Sequence, residues 1–135
     1  MSSIFCTHRI PETGLTLLRE KGHTVEVAEK ETPLTRDELL QALRAKPYDA
    51  VITLLTDHVD GEVFDACPTA RIWSNYAVGF NNLNIEEAKK RGLIVTNTAG
   101  TSSRAVAEHT VALMLALSTR LDEGDRFMRE GKFKG

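Results

Sequence analysis

The sequence has no basic block, no long apolar run, no secretory leader and only two cysteines, and each absence removes a class of function. Lys plus Arg number 17 against 19 Asp plus Glu, and the formal net charge of −2 is scattered along the chain. Nothing concentrates positive charge to neutralise phosphates, so nucleic acid is not an expected partner. The opening MSSIFCTHRI lacks a charged n-region, an apolar h-region of about 7 to 15 residues and a cleavage site, which leads us to expect a cytoplasmic protein. The longest apolar stretch, 111–117, falls far short of the roughly 20 residues that cross a bilayer, so no membrane span is expected. Cys6 and Cys67 lie far apart with no second pair to build a metal site, and free cysteine is readily buried, so packing is their expected role.

The four histidines are equally uninformative as ligands. His8 and His58 fall in expected loops, His23 in a turn and His109 on a helix, without metal-ligand spacing. None has an identifiable partner to position it as a general base. Glu108 precedes His109, yet adjacent helical residues point about 100° apart and do not face each other.

What is present is a repeating alternation. A chain of 135 residues buries roughly two thirds of its extended surface on folding, enough for a core. Residues 3–7 are β-prone; Pro11 then opens an amphipathic segment with Leu15, Leu17 and Leu18 that stops at Gly22. Residues 24–28 alternate Val25 and Val27 with polar residues, and Thr35 with Glu38 forms a capping box ahead of Leu39, Leu40 and Leu43. The run DAVITLL at 49–55 suits a strand covered on both faces, and Asp60 can cap the short helix that ends before Pro68. RIWSNYAV at 71–78 is a fourth strand; Asn84 with Glu87 caps a helix over 85–91 that ends at Gly92; and 93–98 is a fifth strand.

Five strands alternating with four helices imply right-handed crossovers and an open, doubly wound parallel sheet. The expected fold is α/β and flavodoxin-like, with strand order 2-1-3-4-5. Residues 1–100 would form that domain. Beyond Gly100, Ser102 or Ser103 can cap a long helix, apolar on almost every side and therefore expected to be buried all round. The tail from 122 is charged, with Phe127, Met128 and Phe133 as its few anchors, and is expected to lack a globular completion.

The loop SNYAVGFNN at 74–82 follows a central strand at its carboxyl end, where open α/β sheets place ligands. Amides around Val78 and Gly79 can form an anion-binding nest for a small carboxylate if Gly79 adopts the left-handed conformation; a plain tight turn is the alternative. The segment TAGTSS at 98–103 leads into a helix N-terminus that favours a phosphate or carboxylate, although ordinary capping uses the same residues. Asp57, after the third strand, stands where a receiver domain carries its phospho-accepting aspartate, but IFCTH offers no acidic pair for Mg²⁺. THRIPETG is likewise a poor phosphate loop for a flavodoxin.

Taken together, TxRIPExGLxLLxExG, SNYAVGFNNLN, AKKRGLIVTNT and SSRAVAEHTVALMLALSTRL closely resemble the N-terminal part of the D-2-hydroxyacid dehydrogenases, over essentially all 135 residues. RIPETGLTLLREKG and YAVGFNNLNIEEAKKRGLIVTNT are most similar to the glyoxylate and hydroxypyruvate reductases. The resemblance implies that 1–100 is a substrate domain. The Val78 and Gly79 backbone would hold a substrate carboxylate, Leu55 would line the pocket, and Ser103 would approach the nicotinamide end of NAD(P). It also implies that the GxGxxG loop, the acidic ribose reader and the catalytic Arg, Glu and His belong downstream of Gly135. This chain alone is therefore expected to bind no cofactor and to lack activity, because hydride transfer needs a held nicotinamide and an acid/base group.

By the same resemblance, 101–135 comprises an interdomain and dimerisation helix with a charged tail. Exposing Val106, Val111, Leu113, Met114, Leu115 and Leu117 forfeits about 1.5 to 3 kcal/mol per side chain. The helix over 103–120 is accordingly expected to pair with a copy in a homodimer or to fold back on the sheet. Two further readings stand beside the truncated substrate domain: a standalone flavodoxin-like interaction or scaffold protein, and one chain of a split dehydrogenase.

Overall fold

The computed structural model describes residues 1–135. Strand and helix alternate in the order β1 (Ser3–Cys6), α1 (Glu12–Glu20), β2 (Thr24–Val27), α2 (Arg36–Ala45), β3 (Ala50–Thr53), α3 (Gly61–Ala66), β4 (Ile72–Asn75), α4 (Ile85–Lys90), β5 (Ile94–Asn97), α5 (Ser103–Ser118) and α6 (Leu121–Arg129). All five strands run parallel in the order β2-β1-β3-β4-β5. The apolar runs thus become central strands, and the order is the one expected.

Alternation of side chains across each strand divides the core in two. Phe5, Val51 and Trp73 point to the face covered by α2, α3 and α4, where Leu39, Leu40, Leu43, Val63, Phe64 and Ala88 complete the main cluster. Phe5 stacks on Tyr48 and Phe64 meets Trp73 edge-on, each with ring centroids 5.0 Å apart. On the other face Cys6, Ile10 and Leu15 pack under α1 with Val25, Val27 and Ile52. That face is only half covered: Ile72 on β4 and Ile94 on β5 stay exposed.

Helix ends follow local chemistry. Thr35 and Glu38 form the full capping box on α2, and Asp60 accepts from the Val63 amide at the start of α3. Asn84 caps α4 through the Glu87 amide, but the expected reciprocal half of that box is absent. The Asn84 N–H is taken by the Val59 carbonyl, and the Glu87 carboxylate pairs with Lys90 and Arg91 instead. Arg91 also holds Asp65 through two bonds of 2.8 and 2.9 Å, tying α4 to α3. Gly22 and Gly92 take φ values of +81° and +63°, the left-handed turn that ends α1 and α4.

The chain divides into two compact units, Met1–Ala99 and Gly100–Gly135. In the second, Ser102 stands at the N-cap of α5 without a side-chain cap bond, contrary to the capping expected of Ser102 or Ser103; its ψ of −2° is already helical. The helix expected over 103–120 ends at Ser118, where Arg120 turns left-handed at φ 53°. The tail then forms a helix the sequence reading missed, α6, carrying Asp122–Arg126 and Asp125–Arg129 pairs at i,i+4. Nor is α5 buried all round as expected, since no residue of α5 or α6 is buried. A unit spanning Gly100–Gly135, with 16 residues in α5 and 9 in α6, is too small to enclose a core of its own.

Candidate functional site

Four polar side chains line up across the carboxyl edge of the sheet. Thr53, Asn75 and Asn97 are register partners on β3, β4 and β5, and Thr7 follows the Cys6–Ile52 pair at the end of β1. Thr7, Thr53 and Asn75 are buried, while Asn97 is exposed. Buried polar groups must find partners: Thr53 finds its own in Asn75 on the next strand, while Thr7 and Asn75 reach the loops that follow the strands.

Thr7 donates its hydroxyl to Asp57 at 2.5 Å, and the same carboxylate oxygen accepts the Leu54 amide at 2.8 Å. That bond spans the ends of β1 and β3, the switch point of this strand order. Asp57 is 4% exposed and clamps its loop, which leaves the receiver-type reading without support. Asn82 donates to the carbonyls of Leu54 and Asp57 at 3.0 and 2.9 Å, and a Val59–Leu83 bridge closes the seam between the β3–α3 and β4–α4 loops. Asn82 and Asn75 also exchange amide bonds of 3.0 and 3.2 Å, and Thr53 donates to the Asn75 carbonyl at 3.0 Å.

This scaffold fixes the loop over 76–82. The Ala77 carbonyl accepts from the Thr98 amide at 2.9 Å, the Val78 carbonyl from Asn97 Nδ2 at 2.8 Å, and the Gly79 carbonyl from Asn75 Nδ2 at 2.9 Å. Every peptide bond is trans, so each anchored carbonyl sends the next residue's N–H the opposite way. The N–H groups of Val78, Gly79 and Phe80 find no acceptor within the chain. The amides of Ala77, Asn81 and Asn82 are likewise without an acceptor, but those of Val78, Gly79 and Phe80 each follow a carbonyl anchored from the ends of β4 and β5. Consecutive fixed donors at a strand's carboxyl end suit an anionic oxygen.

Gly79 does this without the left-handed backbone expected of it, since it is not among the glycines of positive φ. Carbonyl anchoring, rather than alternating backbone hand, aims the amides. What the missing side chain supplies is room: a Cβ there would meet only Leu55 Cδ1, at 3.9 Å. Leu55, Val78 and Gly79 are therefore neighbours, with Leu55 59% and Val78 41% exposed. Ser103, the fourth residue singled out from the sequence, is the first residue of α5, in the second unit.

Elsewhere the chemistry is structural. Cys6 and Cys67 are buried free thiols, and burial pushes the Cys6 thiol up from its ordinary value. No three His, Cys, Asp or Glu side chains gather as metal ligands. The β1–α1 turn, Thr7-His8-Arg9-Ile10-Pro11, contains no glycine, and α1 begins with Glu12, which opposes a phosphate. A dinucleotide pyrophosphate does not fit there. No helix is long and apolar enough to cross a membrane.

Sequence reasoning found the loop but missed Asn75, Asn82 and Asn97, the side chains that hold it. Asparagine ending two adjacent apolar strands was the available signal, because an amide at a buried strand end needs a partner.

A parallel, doubly wound sheet with unpaired amides on the loop after β4 defines an open α/β domain, the architecture in which ligands sit at the carboxyl ends of the strands. The family profile described as D-isomer specific 2-hydroxyacid dehydrogenase, catalytic domain, matches residues 4–127. The chain belongs to that family. It is 43% identical over 131 residues to a glyoxylate reductase of Pyrococcus furiosus, covering 97% of this chain and 38% of the relative. A glyoxylate reductase of Thermofilum pendens is 45% identical over 130 residues, covering 96% and 38%. A Thermus thermophilus protein of known crystal structure superposes with a TM-score of 0.84 at 33% identity, covering 98% of this chain and 42% of the other. The chain thus spans about 38% of the length of these glyoxylate reductases.

Proposed function

We propose that residues 1–100 are the substrate-binding part of an NAD(P)-dependent D-2-hydroxyacid dehydrogenase of the glyoxylate or hydroxypyruvate reductase kind. The carboxylate of a small 2-keto acid sits on the Val78 and Gly79 amides, and the Leu55 side chain lines the pocket beside it. Ser103 contacts the nicotinamide end of the cofactor. The observation that carries this reading is the row of outward amides whose carbonyls are each held from behind. Identity above 40% to the glyoxylate reductases supports the substrate class.

The residues in hand orient a carboxylate and exclude part of its solvent, but they do not hold a dinucleotide or deliver a proton to a carbonyl. The 135-residue chain alone is therefore expected to bind without turnover. Glyoxylate titrated into the ¹⁵N-labelled chain should shift the amides of Val78 and Gly79, while NADH mixed with glyoxylate should stay unoxidised. Absence of those shifts would remove the site; measurable oxidation would place catalytic groups within the chain. The exposed apolar side chains of α5, among them Val106, Leu113 and Leu117, favour a homodimer through the 103–120 segment.

A further inference from the structure

We propose that Asn97 and Asn75 are positioning residues for the carboxylate, each setting the direction of one loop amide without touching the ligand; this rests on the reading of Val78 and Gly79 as the binding loop. A peptide plane on an exposed loop is free to rotate, and an amide that rotates away no longer serves as a donor. Asn97 Nδ2 holds the Val78 carbonyl at 2.8 Å, which directs the Gly79 N–H. Asn75 Nδ2 holds the Gly79 carbonyl at 2.9 Å and so directs the Phe80 N–H, adding a third donor to the two already assigned.

The two asparagines are themselves fixed, in different ways. Asn75 is wholly buried, and its side-chain carbonyl accepts from Thr53 and Asn82, which leaves Nδ2 one orientation. Asn97 is exposed and held by its place on β5, opposite Asn75 in the ladder. The Thr98 amide, one residue on, secures the Ala77 carbonyl and hence the Val78 N–H. The carboxyl ends of β4 and β5 thus preorganise three donors before any ligand arrives, so that binding need not order them.

Because Asn97 is exposed and its side chain bonds the Val78 carbonyl, Asn97→Ala tests the role without threatening the core. Glyoxylate is titrated into ¹⁵N-labelled wild-type, Asn97→Ala and Asn97→Gln chains, with the urea midpoint of each measured by Trp73 fluorescence. The expected result is binding to the alanine variant about tenfold weaker, at an unchanged urea midpoint, with smaller shifts at Gly79. Asn97→Gln keeps the donor and should recover affinity to within about threefold of wild type. A purely structural residue would move the midpoint and leave affinity alone. Wild-type affinity in Asn97→Ala overturns the positioning role while sparing the binding site. Absence of shifts at Val78 to Phe80 in the wild-type chain overturns the site itself, and the positioning role with it.

Discussion

Thr7 is 2% exposed and its hydroxyl has one acceptor, the buried carboxylate of Asp57. Thr7→Val keeps the shape and removes the donor, leaving Asp57 with the Leu54 amide alone on that oxygen. A buried acceptor short of a partner costs about 1 to 3 kcal/mol, so the urea midpoint, followed by Trp73 fluorescence, should fall correspondingly. An unchanged midpoint would mean that the Thr7–Asp57 bond contributes nothing measurable to stability. Gly79 calls for the opposite separation of stability from binding. Its backbone tolerates a side chain and a Cβ meets only Leu55, at 3.9 Å, so Gly79→Ala should leave stability within about 0.5 kcal/mol. The added methyl intrudes where a ligand would reach the backbone, so glyoxylate-induced amide shifts should weaken sharply. Equal shifts in this variant would argue that the ligand sits elsewhere.

At the scale of elements, α2 owes its start to Thr35 and Glu38, and Glu38 is also held by Lys30 through bonds of 2.8 and 2.7 Å. Lys30 and then the Thr35 backbone pull the Glu38 carboxyl from 4.5 down to about 2. A carboxyl depressed on folding contributes stability above its unfolded value and loses it as pH falls toward the folded one. Glu38→Gln should therefore flatten the stability profile between about pH 4.5 and 2, most simply seen as thermal midpoints converging with wild type at the acid end. Parallel profiles would show that Lys30 and the cap contribute nothing measurable. This capping box was legible in the sequence because its chemistry is local: Thr35, Glu38 and the apolar residues after them specify one turn. The five strands were legible for a similar reason, as apolar runs of fixed period bounded by glycine and polar turns. The box at Asn84 failed where a distant group competed, the Val59 carbonyl taking the N–H that Glu87 was expected to reach. The break at Arg120 and the helix after it were missed because the expected stops, glycine and proline, are absent there and an arginine takes the left-handed turn. In the loop over 76–82, its place after a central strand, its glycine and the family resemblance pointed to Val78 and Gly79, but the anchoring of their carbonyls depends on β4 and β5 lying side by side, which no single segment encodes.

On the scale of the whole molecule, the sheet unit and the helical unit have different needs. Met1–Ala99 encloses Trp73, Tyr48 and Leu43 at 1% exposure or less, within a buried cluster of its own. Gly100–Gly135 encloses nothing: Val106, Val111, Leu113, Met114, Leu115 and Leu117 are each more than half exposed. So many apolar side chains on 16 helical residues exceed what scattered surface exposure accounts for, and contiguous patches of this kind mark contact surfaces. Association of the purified chain is the expected consequence, read as a light-scattering mass of twice 15.0 kDa. Replacing Leu113 and Leu117 by glutamate should return that mass to a monomer's and leave Trp73 emission unchanged, because neither residue belongs to the sheet's core. A wild-type chain that stays monomeric at high concentration would show that α5 meets its apolar requirement without a second copy.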